Sequence, residues 1–174
     1  MHDKFAGSIF PKNAWIGNVC FIKKSGRVLL LCRSKEPMKG KWTGVGGKTK
    51  FFEEPLESCI REVKEETGFD VEPKLAGIIT TVNKPKNYEW ILFIYFANGY
   101  KGELRKCSEG ALKWVEEEKV YEEDLIGFIR IVLPYIISKE RKGIITGKII
   151  HDERGDVLSG IIRNENSILL RIPS

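Results

Sequence analysis

Glutamine is absent from this 174-residue sequence, and its longest apolar run is WILFIYFA at 90–97. A helix that spans a bilayer needs about 20 apolar residues, so that run reads as a buried strand rather than an anchor. The opening MHDKFAGSIFPKNAW has neither a long apolar core nor a small-residue cleavage site, and no signal peptide is expected. Cysteine is limited to positions 20, 32, 59 and 107, with no CxxC pair, which excludes the common zinc patterns. Reduced thiols used as small core residues, in a cytoplasmic protein, are the expectation. There is also no basic block. The 29 Lys and Arg against 24 Asp and Glu give a net charge of +5, but the lysines are scattered. That charge suits a phosphorylated small molecule and does not point to a stable nucleic-acid complex. The missing glutamine, with abundant Lys, Glu and Ile, is a composition of thermophilic bias. No repeat or linker divides the chain, so one domain over 1–174 is expected, with residues 1–12 as an N-terminal arm and 164–174 as a C-terminal tail.

What is present is an ordinary globular balance, 42% hydrophobic and 30% charged. WIGNVCFI (15–22) and RVLLLCR (27–33) read as strands joined by a KKSG turn. Residues 34–42 read as a loop. TGVGGKT (43–49) is too rich in glycine for an ordinary strand and suggests backbone brought close to something. A helix follows, with Pro55 at its first position, Glu53 and Glu54 before it, and Thr67-Gly68 as its stop. Further strands are expected at 74–83, 89–98 and 111–115. The stretch 121–140 has helical spacing interrupted by Gly127 and Pro134, which predicts two pieces or a kink. Two strands around a DERGD turn are expected in 143–163. This order predicts an α/β fold, with helices packed on a mixed sheet.

On a helical wheel, Leu56, Cys59, Ile60, Val63 and Thr67 share the face expected to pack on the sheet. Glu62, Glu65 and Glu66 form an adjoining acidic arc. A solvated surface arc is one reading of it. Yet like charges four residues apart repel, and carboxylates gathered beside a sheet raise one another's pKa. Mg²⁺ or Mn²⁺ would remove that repulsion, because both prefer hard oxygen ligands. The bare backbone of Gly46 and Gly47 could add a carbonyl ligand, and a nucleotide diphosphate could bridge what remains. The spacing thus points to metal-assisted hydrolysis of a phosphoanhydride.

Residues 47–69, G-KTKFF-E-EPLESCI-R-E-V-K-E-E-T-G-F, match every fixed position of GX5EX7REUXEEXGU, with U apolar. The chain therefore resembles the Nudix hydrolases. With VLLLCR, GKWTGVGGK and the late GKII…GDVLSGII, it looks similar to the MutT-type oxidised-purine nucleoside triphosphatases. The resemblance implies an α/β/α sandwich around a mixed sheet and a Mg²⁺- or Mn²⁺-dependent hydrolase acting on a nucleoside diphosphate linked to another group. A nucleoside triphosphate would give monophosphate and pyrophosphate. ADP-ribose, a dinucleoside polyphosphate, capped RNA, or a non-catalytic nucleotide-sensing role are the alternatives.

The resemblance also implies roles. Gly46, Glu62, Glu65, Glu66 and Glu109 form the expected metal set. Glu62 is the expected base, Glu53 the alternative, and Arg61 is expected to pair with Glu53. Substrate recognition is less legible. Thr43 stands where relatives can carry Asn, and IGFIRIVLP is apolar apart from Arg130, with Glu122, Glu123 and Asp124 several residues early. Trp42 could line a base pocket by stacking, and Lys48 could touch a phosphate. Asn18 and Thr81 are pocket candidates by strand position, whereas Trp15 is expected in the core. His2 and His151 receive no role.

Overall fold

The computed structural model describes residues 13–138, 140, 143–165 and 167–173, so His2 and the expected arm at 1–12 lie outside the described residues. The elements in chain order are β1 (Ala14–Lys24), β2 (Arg27–Arg33), β3 (Trp42–Thr43), α1 (Pro55–Thr67), β4 (Lys74–Asn83), β5 (Tyr88–Asn98), β6 (Gly110–Glu116), a 3-10 turn (Glu117–Glu122), α2 (Gly127–Ile137), β7 (Ile145–His151), β8 (Val157–Asn164) and β9 (Ser167–Ile172). The sheet runs β3-β2-β1-β5-β4-β7-β8-β9, with β6 on β2. The pairs β1–β5 and β4–β7 are parallel and the others antiparallel. No helix among the described residues is long and apolar enough to cross a membrane.

Alternation along β1 builds the two cores. Val19 and Phe21 face Ile79, Ile94 and the apolar side of α2, at Ile129, Val132, Leu133 and Ile136. Cys20 and Ile22 face the other way, onto Cys59 and Val63 of α1. The result is the expected mixed α/β sandwich. All four cysteines are free; Cys20, Cys59 and Cys107 are buried, and Cys32 is partly so.

One irregularity in the sheet positions the glycine-rich segment beside α1. Ser25 and Gly26 both take positive φ, the requirement of a tight hairpin turn, and join β1 to β2. The two strands pair through Lys23–Val28 and Lys24–Arg27. Farther along, the glycine-rich segment takes the edge of β1. Val45 and Cys20 exchange backbone hydrogen bonds, Asn18 N–H donates to the Gly47 carbonyl at 2.9 Å, and Thr49 N–H to the Ile16 carbonyl at 3.1 Å. Meanwhile β2 turns to β3 and β6.

Several expectations need correction. Ile60 is 42% exposed, while Ser58 and Glu66 are buried. The buried arc of α1 is rotated toward the glutamates because the loop at 46–48 lies over that side and adds to the cover from the sheet. Gly127 does not interrupt a helix but begins one; a Cβ there would meet the Gly155 carbonyl at 2.4 Å. Pro134 lies inside α2, which continues to Ile137. Arg130 holds the preceding turn onto α2 by donating to the Tyr121 and Glu123 carbonyls at 2.8 and 2.7 Å. Residues 167–172, expected as part of a tail, form an edge strand on β8.

Candidate active site

A cleft of about 780 Å³ opens where β1 and β2 part. One end is acidic. α1 is set by Pro55 in its first turn, by Glu57 accepting the Glu54 N–H at 3.1 Å, and by Gly68 in the left-handed conformation at its end. These anchors fix which carboxylates reach the cleft. Glu66 is 5% exposed and accepts the Gly46 N–H at 2.9 Å. Burial pushes its pKa up to about 8; the Gly46 N–H opposes that rise, and the negative charges of Glu62 and Glu109 add to it.

Arg61 organises the remaining acids. Its Nε and Nη2 hold the two oxygens of Glu53, the latter at 2.9 Å, while Nη1 reaches Glu62 at 2.7 Å and Glu65 at 3.1 Å. The Arg61 bonds, with the Lys50 N–H, lower the Glu53 pKa to about 2. The carboxylates of Glu53, foremost, and of Glu62 raise that of Arg61. Glu109 enters from beyond β2, held by Lys35 at 2.9 Å. Among the described residues no three acidic side chains converge tightly enough to hold a cation as they stand, because Arg61 engages Glu62 and Glu65. The donors nevertheless suit a hard divalent ion: carboxylates beside a loop carbonyl, with one carboxylate driven toward protonation by crowding and burial.

The other end is aromatic. Trp15 lies 5.3 Å from Trp90 and 5.5 Å from Tyr88, ring centre to ring centre. Lys48 Nζ stands over Trp15 at 4.6 Å. Thr43, Thr81, Lys86, Ile126, Phe128 and His151 also line the cleft.

Of the residues named from sequence, the cleft brings together Gly46, Glu62, Glu65, Glu66, Glu109, Thr43, Lys48, Asn18 and Thr81. Glu53 lies behind Arg61. Asn18 contributes differently from expectation. It is buried, and its amide donates to Ser58 Oγ at 2.9 Å and weakly to the Gly47 carbonyl, so it ties the glycine loop to α1. Trp42 does not line the cleft. It pairs with Cys32 across β3–β2 and packs against the α2-side core. Trp15, expected in the core, instead forms the cleft wall, because it sits at the start of β1 beyond the cover of α2. His151, which has no role on the sequence reading, is the buried last residue of β7. Its parallel pairing with Asn83 brings it into the cleft, a non-local register that no local pattern carries.

The NUDIX domain family matches residues 15–135. The chain is 35% identical over 100 residues to an uncharacterised Nudix hydrolase of Bacillus subtilis, covering 55% of this chain and 61% of that protein. It is 28% identical over 134 residues to the oxidized purine nucleoside triphosphate hydrolase of Danio rerio, covering 69% and 78% of the two chains. The crystal structure of a MutT protein from Bacillus halodurans superposes with a TM-score of 0.76 at 29% identity, over 85% of this chain and 97% of that one. The match thus spans about three fifths of the bacterial relative's length. A family match across most of the chain, on a fold shared with a MutT protein, establishes that this chain belongs to the NUDIX family.

Proposed function

We propose that the chain hydrolyses a phosphoanhydride bond of a nucleoside triphosphate, an oxidised purine among the candidates, to release monophosphate and pyrophosphate. The observation that carries this reading is the joining, in one cleft, of the α1 carboxylates with an aromatic wall of Trp15, Tyr88 and Trp90. A divalent cation, Mg²⁺ or Mn²⁺, would be held by the Gly46 carbonyl with Glu62, Glu65, Glu66 and Glu109, and supplies neutralisation of phosphate charge and activation of water. Arg33, Lys35 and Lys48 line the same cleft and suit the polyphosphate. Glu62 takes the proton of the attacking water as the new phosphorus–oxygen bond forms and the bond to pyrophosphate breaks. Glu53 is the poorer base. Both its oxygens are held by Arg61, and a carboxylate of pKa about 2 has little appetite for a proton. Stacking on Trp15 and Trp90 would position the base.

The test is a panel of nucleoside triphosphates, oxidised and parent purines included, together with ADP-ribose, dinucleoside polyphosphates and capped RNA. Each is incubated with Mg²⁺, and pyrophosphate is scored separately from orthophosphate. Pyrophosphate release from a triphosphate is the expected result. Turnover confined to the other classes would replace the substrate, and no turnover on any would favour a nucleotide-sensing domain.

A further inference from the structure

The polar groups at the aromatic end are tied down in a way that leaves one nitrogen unspent. Asn83 is fully buried between Tyr88 on β5 and His151 on β7. Its amide donates to the Asp152 carbonyl at 3.0 Å and the Tyr88 hydroxyl at 3.3 Å, and its oxygen accepts the Lys86 N–H at 2.9 Å. One side chain thereby fastens the 84–87 turn to the 152–156 turn. Close approach seats the second turn further. A Cβ on Gly155 would meet the Met38 sulfur at 2.5 Å, and one on Gly127 would meet the Gly155 carbonyl at 2.4 Å.

His151 is held at the base of that turn, 6% exposed, with Nδ1 2.8 Å from the Asp152 carbonyl. A carbonyl only accepts, so Nδ1 carries the hydrogen, and Nε2 is the ring nitrogen left to meet a ligand, a bare lone pair whenever the imidazole is neutral. The ring borders the cleft beside Thr81 and Lys86, with Tyr88 at 6.4 Å.

We propose that His151 is the specificity-determining residue of the nucleobase end, its Nε2 accepting a hydrogen bond from a ring N–H of a base stacked on the Trp15–Trp90 wall. This deepens, and rests on, the nucleotide reading above. Base chemistry then selects the ligand. N7 of guanine is itself a bare acceptor, and two facing lone pairs repel. A purine oxidised at C8 carries a hydrogen on N7 and a carbonyl at C8. Its N7–H satisfies Nε2, and Lys86 and Thr81 offer donors to the flanking carbonyls. The polarity of one hydrogen bond separates the oxidised base from its parent. A site built around such a bond rejects the analogue that cannot make it.

Binding of the monophosphates tests this independently of turnover. Quenching of tryptophan fluorescence is titrated with 8-oxo-dGMP and with dGMP in wild type, His151→Leu and His151→Gln, each checked for folding by thermal melting. Wild type is expected to bind the oxidised nucleotide about tenfold or more tightly. His151→Leu should bring the two affinities together, since it removes both the hydrogen bond to the oxidised base and the repulsion of its parent. His151→Gln, whose amide oxygen can take the place of Nε2, should retain part of it. Equal affinities in wild type, an unchanged preference in the Leu variant, or a Gln variant no better than Leu would overturn the assignment. If the preference behaves as expected but no triphosphate is turned over, the catalytic reading fails and the role of His151 stands.

Discussion

Glu62 and Glu53 are the same residue type in the same motif, and their surroundings separate them. Glu53 has both oxygens bound by Arg61, whereas Glu62 shares one oxygen with it and borders the cleft. Glu62→Gln is therefore expected to lower kcat by at least ~100-fold while thermal melting moves by only a few degrees; a variant with wild-type turnover would remove Glu62 from the base role. Two tryptophans separate in the same way. Trp15→Ala should raise KM for the nucleotide by about tenfold through lost stacking. Trp42→Phe should leave KM unchanged, since that ring packs on the core with Lys113 over it. Steady-state kinetics on the best substrate of the panel checks both. That Gly46, Glu62, Glu65 and Glu66 share one side of the cleft, and that Arg61 stands beside Glu53, was legible in the sequence because their spacing is local to one helix and its approach; Glu109, before β6, lies outside that stretch. The roles of Trp15, Trp42 and His151 were not, because each depends on which strand lies alongside.

At the scale of elements, the glycine loop and α1 form one unit, and adjacent glycines in it are needed for different reasons. Gly46 has φ +152°, and a Cβ would strike the Asn18 carbonyl at 2.3 Å. Backbone cannot yield there, so Gly46→Ala should destabilise the fold by about 1–3 kcal/mol, read as a lower melting temperature. At Gly47 a Cβ would meet the Glu62 carboxylate at 2.7 Å. That is the far end of a flexible side chain, which can swing away. Gly47→Ala should therefore melt close to wild type but lose about tenfold or more in kcat; equal losses of stability in the two variants would contradict this distinction. Periodicity identified the helix and its caps but placed Ile60 inward, since it counts only the sheet as a partner for α1. Seven of the strands were readable as apolar runs between turns. β3 was hidden in a loop and β9 in a polar-flanked tail, because edge strands need no buried face on both sides.

For the whole molecule, two carboxylates act in opposite directions on stability. Glu53 has a folded pKa of about 2 against an ordinary 4.5, so its contribution is present above pH 4.5 and is lost as pH falls through 2. Glu66, at about 8 against 4.5, behaves in reverse: its contribution is full below pH 4.5 and is lost as pH rises through 8. The metal-free protein should thus lose stability between pH 4.5 and 8 on account of Glu66. Added Mg²⁺ should offset more of that loss at pH 8 than at pH 6, because binding requires the ionised carboxylate. Urea midpoints with and without Mg²⁺ check this. Glu66→Gln should flatten the metal-free slope, and an unchanged slope would show that Glu66 does not produce it.

The sequence alone determined the family and the acidic helix with its caps, because both are written in the local spacing of 23 residues, and the family resemblance implied the pairing of Arg61 with Glu53. It also determined the alternation that makes a mixed sheet between two helical layers. Only the tertiary structure decided where β1 and β2 part, that the glycine loop fills the vacated edge, and that Glu66 is buried there while Glu65 is not. It alone decided the aromatic end of the cleft, since Trp15, Thr81, Trp90 and His151 lie on four different strands. Their meeting follows from parallel pairings between distant segments, β1 with β5 and β4 with β7. Non-local register is set by the packing of the whole sheet, and no stretch of sequence carries it by itself.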